Sequence, residues 1–148
     1  MAIEGTYVPS TADWVRDQVA LYESSGGTKA NTLRDTGIPI VVVTMIGNKT
    51  GNVRKIALMR VEHEGAYALV ASYGGRPSHP EWYHNLLANP NSVSVQDGAT
   101  PSAVSVREVN GEEKAAWWAR CVAVFPNYAD YQAKTDREIP VLVATPRS

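Results

Sequence analysis

Short segments of β-branched and apolar residues, divided by turn residues, constrain the fold of this chain more than any other feature. The apolar run IPIVVVTMI is too short for most helices, and the segments SVSVQ and SAVSVREV alternate as half-buried strands do. Three further strands are predicted at VRKIALMRV, AYALVASY and IPVLVAT. Six strands that follow one another mainly as hairpins predict an α+β fold, with a mostly antiparallel sheet or small barrel.

Helices are predicted at the start, in the middle and near the end of the chain. The first lies in STADWVRDQVALYESSGG, where Ser10 is a candidate cap and Trp14, Val15, Val19 and Tyr22 share a face. The others lie in HPEWYHNLLANP, GEEKAAWWARCVAVF and NYADYQAKT, and residues 27–37 are expected to form a loop. We expect a single domain over residues 1–148, with the N-terminal helix in 1–27 and the barrel in 36–148.

The balance of charge argues against a nucleic-acid partner. The 148 residues include 14 Lys and Arg against 15 Asp and Glu, which gives a net charge of −1 and no extended basic surface. Any anion-binding site must therefore be local.

Other patterns exclude several classes of protein. The start, MAIEGTYVPS, lacks the features of a secretory signal, and no apolar run approaches the roughly 20 residues that span a bilayer, so we expect a cytoplasmic protein. The single cysteine, Cys121, lies in an apolar helical segment and is expected to be a buried small side chain. His79 and His84 would lie on different faces of a helix, so no metal site is predicted.

The segment GNKTGNVRK concentrates positive charge in a predicted hairpin turn. Its glycines permit a sharp turn, and the turn amides, the Thr50 hydroxyl and the cations Lys49, Arg54 and Lys55 can surround a phosphate or carboxylate. Lys55 is expected on the opposite strand face from Arg54 unless a bulge redirects it. A strand follows where a Walker phosphate loop would open a helix. The alternative is a solvated hairpin with incidental lysines.

Two further segments are unusual. In ASYGGRPSHPEWYHNLLANP a glycine pair follows Ser72 and Tyr73, and Trp82 and Tyr83 come a few residues later. Glycine backbone and aromatic side chains suit the binding of a flat polar ring. The alternative is that Trp82 and Leu86, at spacing i, i+4, pack in the core. In FPNYADYQAKTDREIP, Tyr128 and Tyr131 are three residues apart and can line an aromatic pocket or move a proton, or simply pack.

The same segment places Asp136 beside Arg137, which suggests an ion pair between them. The sequence shows no Ser-His-Asp motif and no pair of carboxylates suited to acid–base catalysis. We therefore expect a cofactor to carry the catalytic chemistry.

Together, GNKTGNVRK, ASYGGRPSHPEWYHNLLANP and EKAAWWARCVAVFPNYADYQAKTDREIPVLVATP resemble the actinobacterial deazaflavin-dependent nitroreductase family. The resemblance implies a split β-barrel similar to flavin-reductase folds, and coenzyme F420, an 8-hydroxy-5-deazaflavin with a phospholactyl-polyglutamate tail, as cofactor. It further implies an oxidoreductase that passes a hydride from the reduced cofactor to a small electron-poor acceptor, such as a quinone or an α,β-unsaturated lactone or enone. Reduction of nitro compounds is not carried over, because substrate pockets vary within the family.

The resemblance also implies which residues form the site. The tail would be held by Lys49, Thr50, Gly51, Arg54 and Lys55. The ring and its ribityl chain would meet Ile56, Ala57, Leu58, Ala71, Ser72, Tyr73 and Gly74, with Trp82, Tyr83, His84, Asn85 and Leu86 as a wall. Tyr128, Tyr131 and Ser72 are the expected catalytic residues, and Tyr128 would also face the cofactor ring.

Alternatives remain at this stage. The chain can be an FMN or haem-type split-barrel protein, or a non-catalytic protein that stores or delivers the deazaflavin. A monomer is favoured. The first helix carries Trp14 and Val15 and can touch a membrane surface, although Asp13 and Asp17 weaken attraction to anionic lipid, and packing on the barrel is the other role.

Overall fold

A computed structural model describes residue 3, residues 5–33 and residues 36–147. Arg34 and Asp35, which fall in the predicted loop, lie outside the described residues. The helices are α1 (Asp13–Ser24), α2 (Glu81–Ala88), α3 (Gly111–Val124) and α4 (Asn127–Ala133). The strands are β1 (Ile40–Ile46), β2 (Val53–Met59), β3 (Glu62–His63), β4 (Ala66–Val70), β5 (Val93–Gln96), β6 (Pro101–Glu108) and β7 (Val141–Pro146). None of the described helices combines the length and apolar character needed to cross a membrane.

All strand pairs of the sheet are antiparallel, in the order β2-β1-β5-β6-β7-β4-β3. The first and last strands of this order, β2 and β3, are separated in the chain only by Arg60 and Val61. The sheet therefore curls until its two ends meet in one continuous segment. The predicted α+β split barrel is confirmed.

The alternating faces of these strands form an interior and an exterior. The interior cluster contains Val41, Val43 and Met45 of β1 together with Leu69 of β4. The buried Leu86 of α2 packs into the same cluster. Outside, α1 covers β1 through Val19 and Tyr22, and α3 and α4 cover β4 and β7. Complete removal of these apolar side chains from water is the main stabilising contribution, at about 25 cal/mol per Å².

The register places several loops at the same end of the barrel. The β1–β2 turn, the segment after β4, helix α2, the end of β6 and the start of β7 all meet there. We call this the upper end. Asp97, Arg60 and Tyr67 meet at the lower end, where the Asp97 carboxylate accepts hydrogen bonds from both other side chains.

Two details differ from the sequence-based expectation. The segment EHEG contains a seventh, two-residue strand, Glu62–His63, which pairs with β4. Helix α1 begins at Asp13 after Ala12, and the Ser10 hydroxyl accepts a hydrogen bond from the Ala12 amide before the helix starts. Short strands of this kind depend on a partner distant in sequence, which local pattern does not reveal.

Candidate functional site

The turn between β1 and β2 is closed by its own backbone. The Gly47 amide donates to the Asn52 carbonyl at 2.7 Å, and the Gly51 amide donates to the Gly47 carbonyl at 2.9 Å. Gly51 has φ +74°, a left-handed conformation that favours glycine. The Thr50 hydroxyl oxygen accepts from the Asn52 amide at 3.1 Å. This turn, residues 47–52, is called the cation turn.

Helix α2 fixes the cation turn from the side. The buried Asn85 accepts from the Asn48 amide at 3.0 Å through Oδ1, and its Nδ2 contacts the Met45 sulfur at 3.8 Å. Lys49 lies 3.6 Å from a Glu81 carboxylate oxygen, but its side chain is 77% exposed, so this pair contributes little to stability. Asn85, expected in the wall of the cofactor site, positions the cation turn through this hydrogen bond.

The predicted site residues on β2 divide between its two faces. Arg54, Ile56 and Leu58 alternate onto one face, and Ile56 and Leu58 pack against the interior cluster. Lys55 and Ala57 lie on the other face: Ala57 packs with the α1 cluster. The Lys55 ammonium binds Glu23 of α1 and lies 5.0 Å from the Tyr7 ring centroid, beside an outer cavity of about 240 Å³. The β1–β2 register is continuous, so no bulge redirects Lys55.

Between β2 and β4 the barrel wall is split. The Val53 amide donates to Thr6, and the Val53 carbonyl accepts from Val8, so the backbone groups of Val53 point away from β1. By the two-residue period of a strand, those of Lys55 and Ala57 point the same way.

The opposite edge belongs to β4. The Ala68 amide donates to the Val61 carbonyl, so the amide and carbonyl of Val70 also point toward the β2 side. Strand pairing between the two edges is confined to β3, and within the described residues neither Ala57 nor Val70 has a strand partner across the opening. We call this opening the split.

A tight turn borders the split at its upper end. Three consecutive residues, Tyr73, Gly74 and Gly75, have φ values of +48°, +63° and +80°. Ser72 precedes them and is buried, with 9% of its surface exposed. A Cβ added to Gly75 would lie 2.8 Å from the Tyr131 carbonyl oxygen, so the turn rests directly on α4. This turn, residues 71–76, is called the glycine turn.

The guanidinium of Arg137 holds the glycine turn from behind. Its Nη2 donates to the Ser72 carbonyl at 2.7 Å, its Nη1 to the Ala71 carbonyl at 3.2 Å and its Nε to the Arg76 carbonyl at 2.8 Å. Nη1 also lies 3.0 Å from Nδ1 of His79. The expected ion pair with Asp136 is not among the ion pairs of the described residues. Sequence reasoning missed this role, because every contact spans about 60 residues.

The two predicted tyrosines lie behind the glycine turn. Tyr128 is 2% exposed and packs edge-on against Phe125, with ring centroids 5.0 Å apart, and Tyr131 is half-buried beside it. Burial raises the pKa of Tyr128 well above its ordinary value. Its phenol therefore keeps its proton at neutral pH and is suited to donating a hydrogen bond. Its contact with a cofactor or acceptor stays a prediction.

The α2 segment, predicted to form a wall of the cofactor site, lies at the upper end. Trp82 and Tyr83 are half-buried against the interior cluster, and Leu86 is fully buried. The Tyr83 hydroxyl donates to Glu108 at 2.6 Å, and burial together with this carboxylate raises the pKa of Tyr83 to about 12. The exposed His84 packs at an angle to Tyr83.

The structure therefore brings most predicted site residues to one place. The cation turn, the inner face of β2, the glycine turn and α2 all meet at the upper end of the barrel, around the split. The described residues contain no group of three or more His, Cys, Asp or Glu side chains arranged to hold a metal ion. Cys121 is fully buried, and burial raises the pKa of its thiol to about 12.

Comparison with known proteins identifies a family that matches nearly the whole chain. The family model of the F420H(2)-dependent quinone reductases matches residues 14–146. The chain belongs to this family. A curated F420H(2)-dependent quinone reductase of Mycobacterium tuberculosis strain H37Rv is 34% identical over 131 residues, which cover 86% of this chain and 87% of that protein.

Two solved structures are also similar. The F420-H2 dependent reductase FDR-A is 52% identical with a TM-score of 0.68, over 72% of this chain and 93% of that one. A second structure, described as a domain-swapped dimer, is 48% identical with a TM-score of 0.70, over 91% of this chain and 99% of that one.

Family membership implies coenzyme F420, and the donors around the split suit such a group. A deazaflavin has a flat ring with hydrogen-bonding edges, and the backbone groups of Ala57 and Val70, which have no strand partner across the split among the described residues, lie on the two strand edges that border it. Lys49 and Arg54 lie at the upper end, where an acidic tail needs cations. Lys55 lies on the far face of β2 and is paired with Glu23, so its predicted contact with the tail stays a prediction.

Proposed function

We propose that this protein is an F420H2-dependent reductase that passes electrons to a quinone or an activated enone. The observation that carries the proposal is the meeting of the cation turn, the split and the glycine turn at one end of the barrel. When bound, the reduced deazaflavin supplies a hydride from its C5 atom.

The residues of this chain bind, orient and exclude water. Lys49 and Arg54 attract the phosphate and carboxylates of the tail. Backbone groups of the split edges fix the plane of the ring, and the half-buried Ile56 and Leu58 provide apolar contact on the inner face of β2. Such positioning is the main catalytic contribution expected of a protein whose cofactor carries the chemistry.

Ser72, Tyr128 and Tyr131 are the proposed proton-handling groups. Ser72 lies in the glycine turn at the rim of the split, whereas Tyr128 is packed behind it. Because its phenol keeps its proton, Tyr128 would act as a hydrogen-bond donor toward an acceptor oxygen that reaches it.

The proposal is tested by titrating the purified protein with F420 and, separately, with FMN. Cofactor fluorescence is followed at low and high salt, and turnover of F420H2 is then measured with a soluble naphthoquinone and a coumarin-type lactone. Tight, salt-sensitive binding of F420 with turnover is expected. Preference for FMN would assign the protein to the flavin branch of the fold, and F420 binding without turnover of either acceptor would indicate a carrier.

We further propose a cytoplasmic protein that can touch the membrane through α1. Trp14 and Leu21, one heptad apart on α1, are 48% and 46% exposed, which suits shallow contact with a lipid surface that holds a quinone. Asp13 and Asp17 on the same helix favour neutral over anionic lipid. Co-sedimentation with phosphatidylcholine vesicles, compared between the wild type and Leu21→Ser, tests this contact.

The sequence favours a monomer, but a similar structure points to association of two chains, so a dimer is the proposed state. One similar structure is a domain-swapped dimer. Size-exclusion chromatography with light scattering distinguishes the two states.

A further inference from the structure

The glycine turn has an unusual support. Its three consecutive left-handed residues include Tyr73, a conformation that costs a non-glycine residue of order 1 kcal/mol or more. Such a backbone persists only where its surroundings hold it. Three of its carbonyl oxygens, those of Ala71, Ser72 and Arg76, accept hydrogen bonds from the guanidinium of Arg137.

Arg137 is itself held in place. Gln132 of α4 donates through Nε2 to the Arg137 carbonyl at 2.8 Å, and Gln132 Oε1 accepts from the Ile139 amide at 2.9 Å. The Arg137 amide lies 3.3 Å from the Thr135 hydroxyl oxygen. The side chain is half-buried and has no carboxylate partner among the described ion pairs, so its charge is directed to the carbonyl oxygens of the turn.

These carbonyl contacts have a geometric consequence. A guanidinium presents donors in a fixed planar fork, and three of them here meet the oxygens of Ala71, Ser72 and Arg76. The fork therefore fixes where β4 ends and how the turn leaves the rim of the split. A lysine offers one ammonium on a flexible stem and cannot hold three such oxygens in one plane.

We propose that Arg137 is a positioning residue for cofactor binding: it holds the glycine turn in the conformation that receives the deazaflavin ring at the split. The inference rests on the proposed function, since it takes the split as the cofactor site. Arg137 acts through the Ala71 and Ser72 backbone and does not itself contact the cofactor.

The test compares Arg137→Lys with Arg60→Lys. Arg60 is also half-buried and bonds through its guanidinium to Asp97, but at the lower end of the barrel. For each protein we would measure the dissociation constant for F420 by fluorescence, the thermal midpoint, and hydrogen exchange of the peptide covering residues 71–79. Arg137→Lys is expected to raise the dissociation constant about tenfold and to speed exchange in that peptide, since it removes hydrogen bonds from a charged donor. Arg60→Lys is expected to change neither the dissociation constant for F420 nor the exchange rate of that peptide.

The kinetic constants separate positioning from general stability. Arg137→Lys should raise the KM for F420H2 more than the KM for the quinone, whereas a purely structural loss lowers the active fraction and leaves both KM values unchanged. If Arg137→Lys does not fold, Gln132→Glu removes the donor to the Arg137 carbonyl while keeping the acceptor for Ile139, and the same rise is expected.

A folded variant that binds F420 within twofold of the wild type, or an equal effect in Arg60→Lys, would overturn the inference. Failure of the wild type to bind F420 would instead overturn the proposed function, so the two failures are distinguishable.

Discussion

Arg54 and Lys55 are neighbours in the sequence but lie on opposite faces of β2. The sequence assigns both cations to the cofactor tail, whereas the structure pairs Lys55 with a carboxylate of α1. Arg54 lies on the same face of β2 as Ile56 and Leu58, whereas Lys55 binds Glu23 of α1. The double variant Lys49→Ala/Arg54→Ala is expected to raise the dissociation constant for F420 about tenfold at low salt, and less at high salt, because salt screens exposed charges.

Lys55→Ala is the matched comparison. It is expected to lower the free energy of unfolding by about 1 kcal/mol, because it leaves the Glu23 carboxylate unpaired, and to leave F420 affinity within about twofold. Denaturant unfolding and fluorescence titration measure the two effects. A strong loss of F420 affinity in Lys55→Ala would instead indicate that the Lys55 side chain contacts the cofactor tail.

His79 gives the site a pH dependence whose sign follows from its surroundings. Burial, the neighbouring Arg137 cation and His84 lower the pKa of His79 below its ordinary value of 6.5, while Glu108 acts in the opposite direction. The unfolded chain therefore binds the proton at higher pH than the folded chain. Neutral His79 therefore contributes to the free energy of unfolding. This contribution is complete above about pH 6.5 and decreases as the pH falls toward the lowered pKa of His79 in the folded protein.

The corresponding variant is His79→Asn, whose side-chain oxygen can accept from Arg137 without titrating. Its unfolding free energy is expected to fall less than that of the wild type between about pH 7.5 and about pH 5.5. His63→Asn, on β3 and without a described contact to Arg137, is the control for the His-to-Asn substitution itself. Parallel pH profiles for the wild type and His79→Asn would exclude His79 as the source.

At the scale of elements, most helices and strands could be predicted because their hydrophobic periods are local. Helix α2, with Trp82 and Leu86 packed inward, and the alternating strand β5 are examples. Strand β3 could not be predicted, because EHEG has turn composition and becomes a strand only by pairing with β4. The Arg137 contacts were equally hidden, since their partners lie 58 to 66 residues earlier in the chain.

The junction between the glycine turn and α4 leads to a prediction at the same scale. Gly75 and Gly65 have φ values of +80° and +83°, but only at Gly75 does a new Cβ meet backbone, 2.8 Å from the Tyr131 carbonyl oxygen. Gly75→Ala is therefore expected to destabilise the protein by about 1–2 kcal/mol more than Gly65→Ala, which is strained but unobstructed. Thermal and denaturant unfolding give the comparison, and equal losses would show that α4 yields freely.

The whole molecule places function where its sheet is incomplete. The barrel closes at the lower end through β3, and among the described residues no strand pairing joins β2 to β4 above it, so the backbone groups of Ala57 and Val70 are candidates for ligand contact. A net charge of −1 leaves no general attraction for a polyanionic tail, and the few cations at the upper end must supply it.

Hydrogen exchange at the split tests this view of the molecule. If the cofactor occupies the split, the amides of Ala57 and Val70, for which the described part of the chain supplies no strand partner there, should exchange more slowly with F420 than without it. The amides of Val43 and Val143, inside complete ladders, should show little local change, because their hydrogen bonds exist in both states. FMN provides the control ligand. Protection that spreads equally to all four amides would indicate general stabilisation by ligand binding, and protection near Lys55 and Glu23 alone would move the site to the outer face of the barrel.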